Sequence, residues 1–195
     1  MTDDETLRTY EAAARLYRDL AAPAPLPELV ALLDAACALL PPGASALELG
    51  TGPGRDTPLL EQRGVAVRRT DGAQSFVDLL RADGHTAELL DVRTDVLGGP
   101  HDLVVAIAVL LHLDRDELAD LLRRLVPVAP VLAFTVKEGD GQAWTTDRLE
   151  LPRRFTYWRE APLTELLRQT GWEVRQVLHA TAREPWLLVL ATHSE

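Results

Sequence analysis

The stretch Ala46-Leu47-Glu48-Leu49-Gly50-Thr51-Gly52-Pro53-Gly54-Arg55 carries the densest chemical signal in the chain. An acid, Glu48, precedes three alternating glycines, Gly50, Gly52 and Gly54. Glycine lets a backbone take positive φ and approach a ligand closely. A helix starting just beyond would add free N–H groups. Two nucleotide signatures fail here. The third glycine of G-x-G-x-x-G is replaced by Arg55 in one frame and by Thr57 in the other, and the G-K-[ST] of a P-loop is absent. Glu48 would repel a pyrophosphate. It suits a ligand with a cationic or hydrogen-bond-donating end.

Other candidates follow. Asp71, about twenty residues on, stands where an acid can accept hydrogen bonds from two ribose hydroxyls; beside Gly72 it also reads as a turn residue. Asp91, in Leu90-Asp91-Val92, reads as a ligand acid, a cap or a turn. His112, in Ala106-Ile107-Ala108-Val109-Leu110-Leu111-His112-Leu113, has the ordinary pKa of a general base. It also reads as a part-buried residue before Asp114. No His, Asp or Glu grouping has metal-ligand spacing, no G-x-S-x-G occurs, and the one cysteine, Cys37, lies near no candidate base.

These residues need elements to bring them together. Thr2 with Glu5 forms a capping box, and Leu7, Tyr10, Ala14 and Tyr17 recur at helical spacing. Three prolines within 21–27 break that helix. A second is expected over 28–40. From 44 onward, short apolar runs alternate with helical stretches. Strands are expected at 44–49, 65–70, 86–90, 103–108 and 131–136. The helices between them include one opened by Thr57 as N-cap with Pro58 first, one over 75–82, and one capped by Asp114 and Glu117. Such alternation predicts a doubly wound α/β fold around a mostly parallel sheet. A polar loop, 137–152, leads to a helix over 162–170. Two strands, 172–178 and 186–191, are too closely joined for a crossover and should be antiparallel, giving seven strands.

Glu48-x-Gly50-x-Gly52-x-Gly54 after the first strand, with Asp71 after the second and Asp91 after the third, resembles class I (Rossmann-like) S-adenosylmethionine-dependent methyltransferases. The resemblance runs over about 45–136. The tail Arg153-Arg154-Phe155-Thr156-Tyr157-Trp158, a helix, then Gly171-Trp172, is similar to small bacterial members. It implies strand order 3-2-1-4-5-7-6 with strand 7 antiparallel, and S-adenosyl-L-methionine as cofactor. Glu48, Gly50, Thr51, Gly52 and Gly54 would bind it. Asp71 and Gly72 would take its ribose, Asp91 and Val92 its adenine, and Ala106 and Ile107 would complete the site. Many members carry V-L-H-H-L; here Leu111 stands at the first histidine and His112 at the second.

In open α/β sheets ligands bind beyond the carboxyl ends of the strands, where strand order reverses. The N-terminal helix and the loops after the fourth and fifth strands can cover that edge. Tyr10, Tyr17, Leu111, Lys137, Trp144 and Tyr157 are therefore the candidate acceptor residues, with core packing as the other reading of the aromatics. Phe155 and Trp158 read equally as pocket or core.

Twenty Lys and Arg face 30 Asp and Glu, a net charge of -10. That argues against a nucleic-acid surface and against docking on anionic lipid. No apolar run nears the ~20 residues of a membrane helix, and the acidic N-terminus has the wrong sign for a targeting signal. The expectation is one cytoplasmic domain, 1–195, monomeric or homodimeric. It has a helical cap at 1–43, a cofactor half at 44–136 and a substrate half at 137–195. The first functional reading is a methyltransferase acting on a small-molecule acceptor. The rivals are an NAD(P)-dependent oxidoreductase, against which the broken third glycine and Glu48 count, and a non-catalytic binder of S-adenosylmethionine or S-adenosylhomocysteine.

Overall fold

The apolar runs form one twisted sheet. β1 (Ser45–Leu49), β2 (Ala66–Asp71), β3 (Glu88–Leu89), β4 (Leu103–Ala106) and β5 (Val131–Lys137) pair in parallel. Between β5 and the last two strands lies a separate antiparallel hairpin, β6 (Gln142–Thr145) with β7 (Arg153–Thr156). β8 (Glu173–Thr181) and β9 (Pro185–Thr192) close the edge, β9 antiparallel to both β5 and β8. The seven-stranded order is β3-β2-β1-β4-β5-β9-β8. It matches the expected order once the extra hairpin is left out of the count. This computed structural model describes residues 4–20 and 24–193. Thr2 of the N-terminal capping pair and residues 21–23 of the proline break lie outside them.

Side chains alternate between the faces of a strand, and the two faces feed two helical layers. Leu47, Leu49, Val104, Leu132 and Phe134 pack on α5 (Arg115–Leu125) and α6 (Glu160–Gln169) through Leu118, Leu121, Leu122, Leu125, Leu163 and Leu167. Ala46, Leu103, Val105, Val131 and Ala133 face α2 (Pro27–Cys37) and α3 (Thr57–Glu61) through Leu29, Leu32, Leu33 and Leu60. α4 (Gln74–Ala82) carries Phe76 beneath α1 (Asp4–Leu20), whose Tyr10 and Tyr17 pack on it edge-on or tilted. The α5 cap forms as read: Asp114 accepts the Asp116 and Glu117 N–H groups, and the Glu117 carboxylate accepts the Asp114 N–H.

Several readings need correction. The polar loop 137–152 contains β6 and leads into β7, because Gly139 and Gly141, both at positive φ, turn the chain back on itself. α2 stops at Cys37, before the Pro41-Pro42 pair, through turn bonds from Leu39 and Leu40. Thr57 is the first residue of α3 and not its cap; its hydroxyl is committed to Glu48, and Asp56 at the cap position makes no capping bond. The fourth strand ends at Ala106 because Ala108 takes φ 57°. Trp172 precedes β8 and is core, its indole N–H donating to the Leu122 carbonyl at 2.9 Å.

Candidate functional site

A cavity of about 920 Å³ opens over the carboxyl ends of β1, β2, β4 and β5, roofed by α1. That is large for a small-molecule site. α1 is tied down on both sides. Ser75 at the start of α4 binds Glu11 through both its N–H and its hydroxyl. On the other side Thr9 donates to the Pro152 carbonyl at 2.6 Å, and the Arg154 N–H donates to Thr6 at 2.9 Å.

The glycine loop builds one end. Gly50 and Gly52 take φ 62° and 54°. A Cβ at Gly50 would lie 2.2 Å from Val109 Cγ2, whereas at Gly52 it would meet nothing within 4 Å. Gly50 is thus required by the protein's own packing, and Gly52 leaves its backbone bare. Glu48 is buried, and its Oε2 accepts the hydroxyls of Thr51 at 2.9 Å and Thr57 at 2.5 Å. Burial pushes its carboxyl up to about 7, against the pull of those hydroxyls. Asp71 is also buried. It accepts the Gly52 N–H on Oδ2 and the Ala73 N–H on Oδ1, both at 2.8 Å, so it locks the glycine loop to the end of β2. Burial raises it to about 6, opposed by those N–H groups. Asp91 differs. Burial would raise it, but bonds from the Arg93 guanidinium and backbone hold it below the usual carboxylate range.

The other end is built by α1, the 3-10 turn Leu110–His112, the end of β5, β7 and the turn before β9. His112 Nδ1 lies 2.9 Å from the Arg154 carbonyl, and its Nε2 lies 2.9 Å from the Tyr10 hydroxyl. A carbonyl only accepts, so Nδ1 carries the proton and Nε2 accepts from Tyr10. Burial, with Arg153 and Lys137 adding repulsion, pushes His112 down to about 4. Both of its nitrogens are engaged within the chain, which weighs against the general-base reading and favours the part-buried one. Lys137 and Arg153 are both buried cations on this wall. The Lys137 ammonium pairs with Glu184 and stands 3.7 Å from the Phe155 ring centroid. The Arg153 guanidinium carbon lies 5.3 Å from the same centroid.

Of the expected cofactor residues, Glu48, Gly50, Thr51, Gly52, Asp71, Gly72, Asp91, Val92 and Ile107 line the cavity. Two do not. Gly54 faces Leu80 of α4, which a Cβ would meet at 2.7 Å, and Ala106 is fully buried in the sheet. Ala108, strained at positive φ and donating its N–H to Thr135 Oγ1, lines the cavity in place of Ala106. Of the expected acceptor residues, Tyr10, Tyr17, Leu111 and Lys137 line it together with His112. Trp144 and Tyr157 do not. Trp144 stands opposite Arg154 in the hairpin, on the face that Arg153 and Phe155 leave. Tyr157 packs its ring over Gly139. Arg153, although part of the tail motif, and Glu184 were not among the expected site residues. The alternation Arg153-x-Phe155 was the available signal for a strand turning both side chains one way.

No protein-family model matches the chain, and no curated protein matches its sequence. Solved structures do match. The CcbJ methyltransferase of Streptomyces caelestis aligns with TM-score 0.77 at 19% identity, over 98% of this chain and 100% of that one. The 1,6-didemethyltoxoflavin-N1-methyltransferase of Burkholderia thailandensis, crystallised with 1,6-didemethyltoxoflavin and S-adenosylhomocysteine, aligns with TM-score 0.74 at 20% identity, over 100% and 92%. A Rhodobacter sphaeroides structure named for Zn-dependent alcohol dehydrogenases aligns with TM-score 0.76 at 14% identity, over the whole of both chains. The chain has the fold of class I S-adenosylmethionine-dependent methyltransferases. Fold does not fix chemistry, so the site must decide. Among the described residues no three His, Cys, Asp or Glu are grouped to hold a metal ion.

Proposed function

We propose that the chain is an S-adenosyl-L-methionine-dependent methyltransferase acting on a small-molecule acceptor. One observation carries the reading: a single cavity joins an acid-lined glycine loop to a second compartment walled by Tyr10, His112, Lys137 and Arg153. The residues fit the cofactor. Gly52 leaves room beside a bare backbone. Glu48, a buried acid on the cavity wall, suits an ammonium, and Asp71 suits ribose hydroxyls. When bound, the cofactor supplies a methyl group on a positive sulfur, already electrophilic.

The chain's own work is then positioning and exclusion of water. Glu48 and Asp71 would hold the two polar ends of the cofactor. The Asp91–Arg93 pair offers a partly exposed carboxylate that would take the adenine. α1 roofs the site through Tyr10 and Tyr17. His112 keeps the proton on Nδ1 and accepts the Tyr10 O–H on Nε2. This fixes the Tyr10 oxygen on the cavity wall beside the Arg153 guanidinium, where it can meet the O–H or N–H of an acceptor. His112 therefore positions Tyr10 and is not itself the proton store.

Titration calorimetry tests the reading. S-adenosylhomocysteine should bind with one site per chain and NAD should give no heat. Binding of NAD without a response to S-adenosylhomocysteine would sink it.

A further inference from the structure

Arg153 is 4% exposed and lines the cavity from β7. Its Nη2 donates to the Asp147 carbonyl and its guanidinium meets the Tyr10 hydroxyl, yet its Nε is buried with no partner, and among the described residues no carboxylate lies within ion-pair distance of it. Burying a charge without a counter-charge is costly. Its neighbours are matched: Lys137 on the same wall by Glu184, and Arg154, the next residue, by Glu117. The chain also carries ten more acids than bases, so carboxylates are plentiful. A buried, unmatched guanidinium facing a cavity is what a site for an anion requires, and its planar fork suits an oxyanion.

The surroundings define the rest of the ligand. Phe155, two residues on along β7, turns to the same side. Leu111, Trp186 and Leu188 add apolar wall. Arg153 and Lys137 both act to keep His112 uncharged, a sign that the local field is positive.

We infer that the methyl acceptor carries an oxyanion, a carboxylate or a phosphate, on an apolar ring-sized body, with Arg153 binding the oxyanion and Phe155 meeting the body. The inference rests on the methyltransferase reading for the word acceptor, but the anion site stands on Arg153 alone. The test is ligand-observed NMR titration of the protein saturated with S-adenosylhomocysteine, and of the protein without it. The probes are benzoate, phenyl phosphate and the neutral benzamide. Benzoate or phenyl phosphate should bind roughly tenfold or more tightly than benzamide, as charge-assisted hydrogen bonds require. The better anion tells which oxyanion is meant. Arg153→Met should bring the ratio near one, and Arg153→Lys should restore part of it. A wild-type protein without preference for either anion overturns the inference, as does a folded Arg153→Met that keeps the preference. Should Arg153→Met not fold, the wild-type ratio and Arg153→Lys still decide. Failure of S-adenosylhomocysteine to bind, with the anion preference intact, would count against the methyltransferase reading and not against the anion site.

Discussion

At the glycine-loop end of the cavity the buried charges are acids, Glu48 and Asp71, each held by hydroxyls or backbone N–H groups of its own neighbourhood. At the far end they are cations, Lys137 and Arg153, brought together from β5 and β7. The acids are supported by residues within about twenty positions in the chain, so that end is prepared by local structure. The cations depend on a hairpin that α1 staples in place from more than a hundred residues away. One end is preformed by its own sequence; the other exists only in the finished fold.

The glycines give the largest effects and separate packing from binding. Gly50→Ala combines positive φ with a Cβ driven into the stiff, branched Val109. It should cost about 3 kcal/mol or more of stability. Gly52→Ala has the same φ problem but open space around its Cβ, so it should cost only about 1–2 kcal/mol. Its methyl group then projects into the cavity and should abolish measurable S-adenosylhomocysteine binding. Urea melts paired with calorimetry check both. Equal destabilisation by the two would mean that Val109 yields, and the contrast would fail.

The two ends should also respond to pH with opposite sign. Glu48 is raised from 4.5 to about 7, so the folded state holds a proton that the unfolded chain releases. Its contribution is complete below pH 4.5 and is lost as pH rises through 7, by at most about 3 kcal/mol. Asp71, raised to about 6, acts in the same direction. His112 is lowered to about 4 from 6.5, so its contribution is present above pH 6.5 and lost as pH falls toward 4. Glu48→Gln should remove part of the decline between pH 4.5 and 7, and His112→Gln should flatten the loss on acidification. Thermal melts across pH 4–8 measure both. A variant whose pH profile parallels the wild type at its own end would break the assignment there.

This contrast also explains what the sequence could tell. The glycine loop, Asp71 and Asp91 sit in contiguous runs whose alternation and punctuation are visible residue by residue, and the five parallel strands with their edge pair follow from the same pattern. The hairpin β6–β7 was invisible because its strands are four residues each and mix polar with aromatic residues on both faces. Arg153 reads as one of many arginines until β7 turns it inward. Ala106 and Ala108 exchange roles because a backbone angle, which no composition reveals, ends β4 early.

The smallest effect is expected at Trp144, where sequence and structure disagree most plainly. A tryptophan in a polar loop after the fifth strand is a natural candidate for an acceptor platform. In the fold it is 37% exposed on β6, opposite Arg154 and turned from the face that carries Arg153 and Phe155. Trp144→Ala therefore removes a side chain exposed along one face and no wall of the cavity. It should cost only about 1 kcal/mol of stability, the ordinary loss for a part-exposed side chain, and leave S-adenosylhomocysteine affinity where it was. Phe155→Ala, one face over, should cost about 3 kcal/mol because its ring is buried beneath two cations. Denaturant melts of the two variants side by side measure the difference. If Trp144→Ala proved as damaging as Phe155→Ala, the hairpin would present its other face to the cavity, and the wall described from Arg153 and Phe155 would have to be rebuilt around Trp144 and Arg154.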